Sequence, residues 1–365
     1  MTFAFTRRGA ALALVCAAAL LSGCGQKEET APKATAAQRS EFTIGWSIYA
    51  GWVPWQYAED AGIVKKWADK YGVKIDVVQI NDYVESINQY TAGKLDGVTA
   101  TTGDGLTIPA AGGKDTTVLI MGDYSNGNDG LVSKTARSVA ELKGKPVNLV
   151  ELSVSHYLLA RALESAGLSG ADVKTVNTSD VDIVGAYASP EVTTVATWNP
   201  QLSELKAKPG TTLLFDSSKI PGEIQDALLV STDVIKANPA LAKALTGIWY
   251  ETLSIMQRQD AEGAKARAAM AKLSGATPES YEQQLKTTYM FWTPAEAVAF
   301  VKGDQAVAAM DRVRNFSFKV GLFGQGAKSA DMVGIQFPSK TLGDPQNVKL
   351  RFDPTYMQMA ADGAL

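Results

Sequence analysis

Aromatic and acidic side chains follow several of the predicted strands, at the positions where an open α/β sheet binds its ligands. In such sheets the ligand lies outside the carboxyl ends of the strands, and the first residues of the following loops point toward it. A ring face can hold a cation, and a carboxylate can accept the cation's N–H groups. The residues that we expect to contact a ligand on this basis are Trp46, Tyr49, Trp52, Asp82, Thr102, Asp104, Asp129, Glu151, Ser153, Ser155 and Trp198.

This set contains no arginine or lysine, and that absence limits the class of ligand. A nitrate or a sulfonate needs cationic or N–H donors that are free of nearby carboxylates. A planar cation is better suited, because its faces can lie on tryptophan or tyrosine rings while its N–H edges meet carboxylates. Guanidinium has three N–H edges and no acceptor, whereas the carbonyl oxygen of urea requires a donor. We therefore expect guanidinium or a small substituted guanidine first and urea second.

Several of these residues also have a purely structural interpretation. Asp82 and Asp104 are suited to cap the helices that follow them, and capping alone would explain both. The aromatic residues near strand ends would equally serve as core or surface anchors. Glu151 is the most informative acid, because a carboxylate that directly ends an apolar strand is costly to bury without a partner.

The sequence lacks the residue patterns of catalytic and metal-binding sites. Its one histidine, His156, lies near the start of a predicted helix, without the clustered ligands of a zinc site or the neighbours of a Ser-His-Asp triad. The acid-rich segment 123–130 does not fit an EF-hand, since Lys134 stands where the bidentate glutamate belongs. We therefore expect no catalytic residue, no metal and no cofactor.

The elements that must position these side chains alternate between short apolar strands and helices. The predicted strands are residues 42–48, 73–80, 97–101, 116–121, 131–133, 147–150, 173–177, 192–198, 211–215 and 227–231. A glycine- and asparagine-rich turn is predicted at 123–130. A helix-dominated tail without matching strands begins at Pro239, and further helices of this tail are predicted to begin at Pro278 and Pro294. The alternation predicts an α/β fold with right-handed crossovers.

The length of the chain favours two lobes, because about 320 folded residues exceed what one core usually supports. We expect a discontinuous first lobe at 42–125 plus 228–365 and a second lobe at 130–225. Two chain crossings, near 126–129 and 217–224, would then form a hinge.

The N-terminus has the features of an export signal. Arg7 and Arg8 precede an apolar run at 10–21, and the string Leu-Ser-Gly-Cys that ends at Cys24 resembles the lipobox of bacterial lipoproteins. The resemblance implies that residues 1–23 are removed and that an acylated Cys24 anchors the protein to the membrane. Residues 24–40 have no periodic apolar positions and are typical of a disordered tether. Without residues 1–23 the net charge is −5, which offers no basic face for nucleic acid.

Longer stretches of the chain resemble a known family, the solute-binding proteins of nitrate/sulfonate/taurine-type ABC importers. The matching stretches are FTIGWSIYAGW, SHYLLARALESAGL and VSTDVIKANPALAKAL. Within that family, QYTAGKLDG and SNGNDG are similar to a branch that carries the label of urea transporter and is associated with urea or guanidine breakdown. The resemblance implies the type II periplasmic binding fold, a periplasmic location, and permease and ATPase subunits as partners.

The function that we predict from these observations is capture of a small solute by lobe closure, followed by delivery to a permease. No covalent chemistry is required, and we expect a monomer. Two alternatives stay open. One is an enzyme on the same fold, since pyrimidine-precursor synthases resemble this family, and the other is a tethered ligand sensor.

Overall fold

Short apolar strands separated by helices determine the architecture of the chain. The computed structural model describes residues 39–324 and 326–365. The predicted signal peptide 1–23, the predicted lipid anchor Cys24 and tether residues 24–38 lie outside the described residues.

The strands of the described chain form two sheets. In chain order they are β1 (Glu41–Trp46), β2 (Lys74–Gln79), β3 (Gly97–Thr101), β4 (Thr116–Ser125), β5 (Asp129–Ser133), β6 (Pro146–Leu149), β7 (Lys174–Asn177), β8 (Thr194–Trp198), β9 (Thr212–Asp216), β10 (Gln225–Ser231), β11 (Thr288–Met290), β12 (Gly334–Gln336), β13 (Thr341–Leu342) and β14 (Val348–Phe352).

The larger sheet has nine strands in the order β13-β12-β14-β4-β10-β3-β1-β2, with β11 paired to the end of β4. β1 runs parallel to β2 and β3, whereas β10 runs antiparallel to both of its neighbours, β3 and β4. The amino end of β10 therefore lies at the same edge of the sheet as the carboxyl ends of β3 and β4.

The smaller sheet has five strands in the order β7-β6-β8-β5-β9. β6 runs parallel to β7 and β8, and β5 runs antiparallel to β8. The first residue of β5, Asp129, is consequently paired with the last residue of β8, Trp198.

Helices connect most of the strands. They are α1 (Pro54–Asp60), α2 (Ile63–Tyr71), α3 (Tyr83–Thr91), α4 (Thr102–Gly105), α5 (Val154–Ser165), α6 (Ile183–Ala188), α7 (Gln201–Ala207), α8 (Thr232–Ala237), α9 (Pro239–Met256), α10 (Ala261–Leu273), α11 (Pro278–Lys286), α12 (Pro294–Lys302), α13 (Asp304–Lys319) and α14 (Thr355–Ala361). A π-helical turn, Leu106–Ala110, continues α4.

Helix starts in the C-terminal third follow from local sequence. α9, α11 and α12 each begin at a proline, whose missing N–H would be unpaired in the first turn anyway. α12 also has a capping box, in which the Thr293 side chain accepts from the Glu296 backbone and Glu296 bonds back. The predicted starts of these three helices are confirmed.

The prediction of a tail without strands is wrong. β11 to β14 lie within that tail, and β14 pairs with β4 in parallel, with Leu350 beside Thr116. These strands have two to five residues, which is too short for their hydrophobic pattern to differ from that of a loop. The predicted turn at 123–130 is also too long, because residues 123–125 continue β4 and pair with β10 and β11.

Buried aromatic and aliphatic side chains join the helices to the sheets. Trp55 of α1 stacks on Trp249 of α9, with ring centroids 5.4 Å apart. A separate apolar cluster on the smaller sheet consists of Val132, Ile183, Tyr187, Val195, Leu202 and Leu205. No helix of the described chain combines the length and apolar character that crossing a bilayer requires.

The strands of the smaller sheet come from residues 129–216, and those of the larger sheet come from 41–125 and 225–352. We therefore keep the two predicted lobes as a proposal and call them the larger-sheet lobe and the smaller-sheet lobe.

Candidate ligand-binding site

A cavity lies where residues of the two sheets meet. At most about 260 Å³ of space in it is free of atoms, and this figure includes space open to solvent. The cavity is therefore suited to a ligand of few atoms. Its lining consists of Tyr49, Trp52, Tyr83, Thr101, Asp129, Val154, Trp198, Ile224 and Asp226. Among the described residues, no arginine, lysine or histidine lines this cavity.

Four aromatic rings form a continuous chain along the cavity. Tyr49 meets Trp52 edge-on at 4.9 Å between centroids, and Trp52 stacks on Tyr83 at 5.6 Å. Tyr83 in turn meets Trp198 edge-on at 5.5 Å. Because Trp198 ends β8 of the smaller sheet and the other three rings belong to the larger-sheet lobe, the chain of rings crosses from one lobe to the other.

Two carboxylates lie next to each other at the edge of the larger sheet. Asp226 of β10 is paired in register with Thr101 of β3 on one side and with Asp123 of β4 on the other. The Tyr49 hydroxyl lies 2.8 Å from Asp123 Oδ1 and 3.3 Å from Asp226 Oδ2. Burial raises the pKa of both acids, and the negative charge of Asp123 raises that of Asp226 further.

Asp129 is the carboxylate that the smaller sheet contributes to the cavity. It follows the first chain crossing and begins β5, so its position is fixed by the pairing with Trp198. Burial raises the pKa of Asp129 to about 7, although a hydrogen bond with Ser125 acts in the opposite direction.

Asp104 joins the two lobes next to the cavity. Its Oδ2 accepts a hydrogen bond from the Tyr83 hydroxyl at 2.6 Å and another from the backbone N–H of Val154 at 3.2 Å. Val154 is the first residue of α5, so the carboxylate occupies the amino end of a twelve-residue helix, a position that attracts anions. Burial raises the pKa of Asp104 to about 6.

Three of the predicted ligand contacts lie away from the cavity. Trp46 is fully buried in the core at the end of β1. The Thr102 hydroxyl contacts Gln225 Oε1 at 3.3 Å instead of the cavity. Glu151 is half-buried, and its backbone N–H donates to Asn177. The expectation that the Glu151 carboxylate needs a buried partner does not apply, because this side chain reaches partial solvent exposure.

Three other predicted contacts serve the ends of helices. Asp82 caps α3 by accepting from the Glu85 N–H, and it also accepts from the Ser179 hydroxyl across the lobes at 3.2 Å. Ser153 caps α5 by accepting from the backbone of Ser155 at 3.2 Å. The Ser155 hydroxyl itself is buried and has no partner within the described ranges. The capping interpretation of Asp82 is confirmed. That of Asp104 is wrong, because Thr101 caps α4 and the Asp104 carboxylate bonds instead to the start of α5.

The structure thus brings together Tyr49, Trp52, Asp104, Asp129 and Trp198 from the predicted set, and it adds residues that the sequence analysis missed. Tyr83 lines the cavity and was missed because it follows the predicted cap Asp82 and so falls inside a predicted helix. Asp123, which bonds to Tyr49, was missed because it falls in the predicted turn 123–130. Asp226 was missed because it lies just before the predicted strand 227–231, although β10 includes it. The amino end of an antiparallel strand lies at the edge of the sheet where ligands bind. A search of both ends of each predicted strand would therefore have found Asp226.

The two chain crossings lie side by side. The hydroxyl groups of Ser125 and Ser217 are 2.6 Å apart, and the Gly127 N–H donates to Ser217 Oγ at 2.7 Å. Ser217 therefore ties the second crossing to the first, directly next to Asp129.

Contacts across the cavity hold the lobes together in this structure. Besides the bond from Val154 to Asp104, the Tyr83 N–H donates to Asp180 Oδ1 at 3.4 Å. Glu223, in the second crossing, accepts from the Tyr157 hydroxyl and from Arg161, and Arg312 lies 3.3 Å away. In this structure the residues of the two sheets are therefore in direct contact around the cavity.

The described residues contain no group of histidine, cysteine, aspartate or glutamate with the arrangement of a metal site. The four carboxylates near the cavity are interleaved with aromatic rings, which are poor ligands for hard cations. The chemistry that this arrangement can perform is recognition of a small ligand through ring faces and acceptor oxygens.

Comparison with known proteins extends the description of the fold. A curated relative from Brucella abortus, whose assignment as a binding protein is provisional, is 23% identical over 216 residues. That alignment covers 58% of this chain and 66% of the relative.

Solved structures with the same fold include binding proteins for two kinds of anion. The alkanesulfonate-binding protein SsuA from Xanthomonas axonopodis, bound to MOPS, has a TM-score of 0.65 and 19% identity and matches 80% of this chain and 96% of its own. The periplasmic nitrate-binding protein NrtA from Synechocystis has a TM-score of 0.55 and 12% identity, with coverages of 90% and 99%. These similarities establish the periplasmic binding protein fold.

A family profile described as NMT1/THI5 like matches residues 62–249, just over half of the chain. The matched range contains β2 to β10, and with them Tyr83, Asp129 and Asp226. This chain belongs to the NMT1/THI5-like family.

Proposed function

We propose that this chain is the extracytoplasmic solute-binding component of an ABC importer and that it captures a small planar nitrogen compound, guanidinium first. The observation that carries the proposal is the composition of the cavity. Four aromatic rings and the carboxylates of Asp129 and Asp226 line it, and the lining includes no cationic side chain.

Each component of the lining has a role toward a planar cation. A ring face attracts a cation with about 0.5–2 kcal/mol, depending on how far the contact is desolvated. Each charge-assisted hydrogen bond to a carboxylate adds roughly 1.5–3 kcal/mol. Since Trp198 and Asp129 come from the smaller sheet while Asp226 and Tyr49 come from the larger-sheet lobe, a ligand would bind both lobes at once.

An anion is disfavoured at this cavity by the same residues. The two structural relatives described above are named for sulfonate and nitrate ligands. In this chain the amino end of α5 is already bound to the carboxylate of Asp104, and that carboxylate would repel a second anion. We therefore propose a ligand class different from those in the names of these relatives.

Urea is the second candidate, and one observation favours it. The indole Nε1 of Trp52 is a buried donor without an acceptor among the described residues. The carbonyl oxygen of urea could accept that N–H, whereas guanidinium has no acceptor to offer.

The importer assignment has support from the fold and from the sequence. The fold is that of periplasmic binding proteins, and the predicted signal peptide and Cys24 would place the protein outside the cytoplasmic membrane on a lipid anchor. Closure about the crossings at Ser125 and Ser217 would present the bound ligand to a permease, which an ATPase subunit drives.

A thermal-shift panel tests the proposal, with guanidine, methylguanidine, agmatine, urea, taurine and nitrate at low millimolar concentration. A specific ligand at 100 times its Kd stabilises the folded protein by about 2.7 kcal/mol, so guanidine should raise Tm by several degrees. Low concentrations keep guanidine and urea from acting as denaturants. A rise in Tm with taurine or nitrate and none with guanidine would contradict the proposed ligand class.

A further inference from the structure

The carboxylates at the cavity outnumber the charge of any small planar cation. Asp104, Asp123, Asp129 and Asp226 are each at most 4% exposed. If all four were ionised they would carry four negative charges, of which one guanidinium would compensate one. Like charges repel strongly in a low-dielectric interior, so the cavity must hold protons as well as its ligand.

The Asp123–Asp226 pair is the natural position for such a proton. The two acids are buried cross-strand partners, and the Tyr49 hydroxyl, which has one proton to donate, lies 2.8 Å from an oxygen of Asp123 and 3.3 Å from an oxygen of Asp226. A proton on one of the two acids would relieve the repulsion between neighbouring carboxylates. Asp123 Oδ2 has no hydrogen-bond partner among the described residues. A methyl group on Gly51 would lie 2.4 Å from this oxygen, so the backbone of the β1–α1 loop closes over it.

The groups that face the pair do not supply a compensating charge. Tyr49, from the β1–α1 loop, and Tyr281 of α11 both have their pKa raised by burial, so their hydroxyl groups stay neutral. Asp129 of β5 and Asp104 of α4 are acids. Arg161 and Arg312, which contact the second chain crossing, are paired there with Glu223.

We propose that the cavity exchanges a proton for its ligand: the ligand-free protein holds a proton on the Asp123–Asp226 pair, and binding of a planar monocation releases that proton to solvent. This inference rests on the proposed function, because it requires a cationic ligand. A neutral ligand such as urea leaves the proton in place and can use it as a hydrogen-bond donor. Burial raises the pKa of both acids, which agrees with a proton held near neutral pH.

Isothermal titration calorimetry with guanidinium chloride measures the exchange directly. Titrations near pH 7 in phosphate and in Tris, whose ionisation enthalpies differ, give the number of protons released per ligand bound. We expect about one proton to be released per guanidinium bound. The apparent Kd should then fall up to tenfold for each unit by which pH rises, as long as the pair in the ligand-free protein is protonated. Urea, titrated in the same two buffers, should give equal heats.

The matched variants are Asp226→Asn and Asp69→Asn. Asparagine has nearly the shape of aspartate but cannot release a proton, so Asp226→Asn should lose most of the heat difference between the buffers. Asp69 is an exposed acid of α2 paired with Lys65, and its replacement should change nothing. If a variant fails to fold, the two-buffer titrations of the wild-type protein still test the proton release.

Two outcomes would contradict this account, and they differ. Guanidinium binding with equal heats in both buffers and a Kd independent of pH would overturn the exchange and leave the proposed function intact. Absence of guanidinium binding at any pH would overturn the proposed function, and the exchange with it.

Discussion

Asp129 is the one acid on the smaller-sheet wall of the cavity, and its partner in the sheet is Trp198. A ligand held between the lobes would therefore bond to Asp129 on one side and to Asp226 or a ring of the larger-sheet lobe on the other. At the scale of single residues, the negative charge of the carboxylates and the faces of the aromatic rings, not shape alone, should determine which ligand binds.

Replacing Asp129 by asparagine should weaken guanidinium binding roughly 2- to 30-fold, because one charge-assisted hydrogen bond of roughly 1.5–3 kcal/mol becomes a neutral one of about 1 kcal/mol. Calorimetric Kd values measure the effect. The matched control is Glu151→Gln, which removes a predicted ligand contact that lies outside the cavity and should leave Kd unchanged. The reverse result, with Glu151→Gln harmful and Asp129→Asn neutral, would place the site elsewhere.

The buried acids also predict how stability depends on pH. The carboxyl pKa is 3.8 for an ordinary aspartate and about 6 and 7 for Asp104 and Asp129 in the folded protein. Between these values the folded protein binds more protons than the unfolded chain, so the free energy of unfolding falls as pH rises. We expect a lower Tm for the ligand-free protein near pH 8 than near pH 5.5.

The Asp226→Asn variant is the control for this pH dependence. His156, whose pKa is lowered by burial, opposes the trend in the same pH range, but it is present in both proteins. The loss of Tm between pH 5.5 and pH 8 should be smaller in Asp226→Asn than in the wild type. Equal losses in the two proteins would mean that the acid pair does not titrate in this range.

At the scale of elements, the loop between β1 and α1 positions the larger-sheet side of the site. This loop carries Tyr49 and Trp52, and Gly51 lies between them against the Asp123 carboxylate. The close approach requires glycine, since an added Cβ would lie 2.5 Å from the Tyr49 ring as well. The loop and the acid pair therefore form one packed unit.

Gly51→Ala should disturb that unit and weaken guanidinium binding at least tenfold, with a loss of stability of about 1–3 kcal/mol from overpacking. Urea unfolding and calorimetry measure the two effects. Gly185→Ala is the matched control, because a Cβ there meets nothing within 4 Å and alanine is the better helix former in α6. Unchanged binding in Gly51→Ala would show that the loop does not position the site.

The elements also show what the sequence could predict. Helices that begin at proline and strands with a continuous apolar run, such as β3, were predicted to within a residue or two, because local chemistry determines them. The short strands β12 to β14 were missed, because they are stabilised by pairing with β4 and with one another rather than by their own pattern. Asp226 was missed for a related reason, since the direction of β10 is a property of the sheet.

At the scale of the whole molecule, the ligand would control how the lobes are arranged. The hydrogen bonds from Val154 to Asp104 and from Ser179 to Asp82 cross between the lobes next to the cavity. Binding energy shared by the two lobes shifts an open population toward the closed one. The predicted division into two lobes follows from chain length and from the order of the predicted strands, whereas the residues that meet across the cavity depend on how the two sheets pack together, which the sequence does not reveal.

Small-angle X-ray scattering should detect this closure as a smaller radius of gyration when guanidinium is added. The Asp129→Asn protein is the control, because at the same guanidinium concentration fewer molecules would be occupied and the change should be smaller. A radius that stays constant in the wild type while calorimetry shows binding would mean that the lobes are closed without ligand.

The most direct measurement is a crystal structure of the protein grown with guanidinium at a concentration well above its Kd. The account predicts a flat density in the cavity, with its face on the rings of Trp52, Tyr83 or Trp198 and its edges within hydrogen-bond distance of Asp129 and Asp226. An empty cavity with the ligand bound at another surface, or an anion from the crystallisation solution in its place, would contradict the central claim.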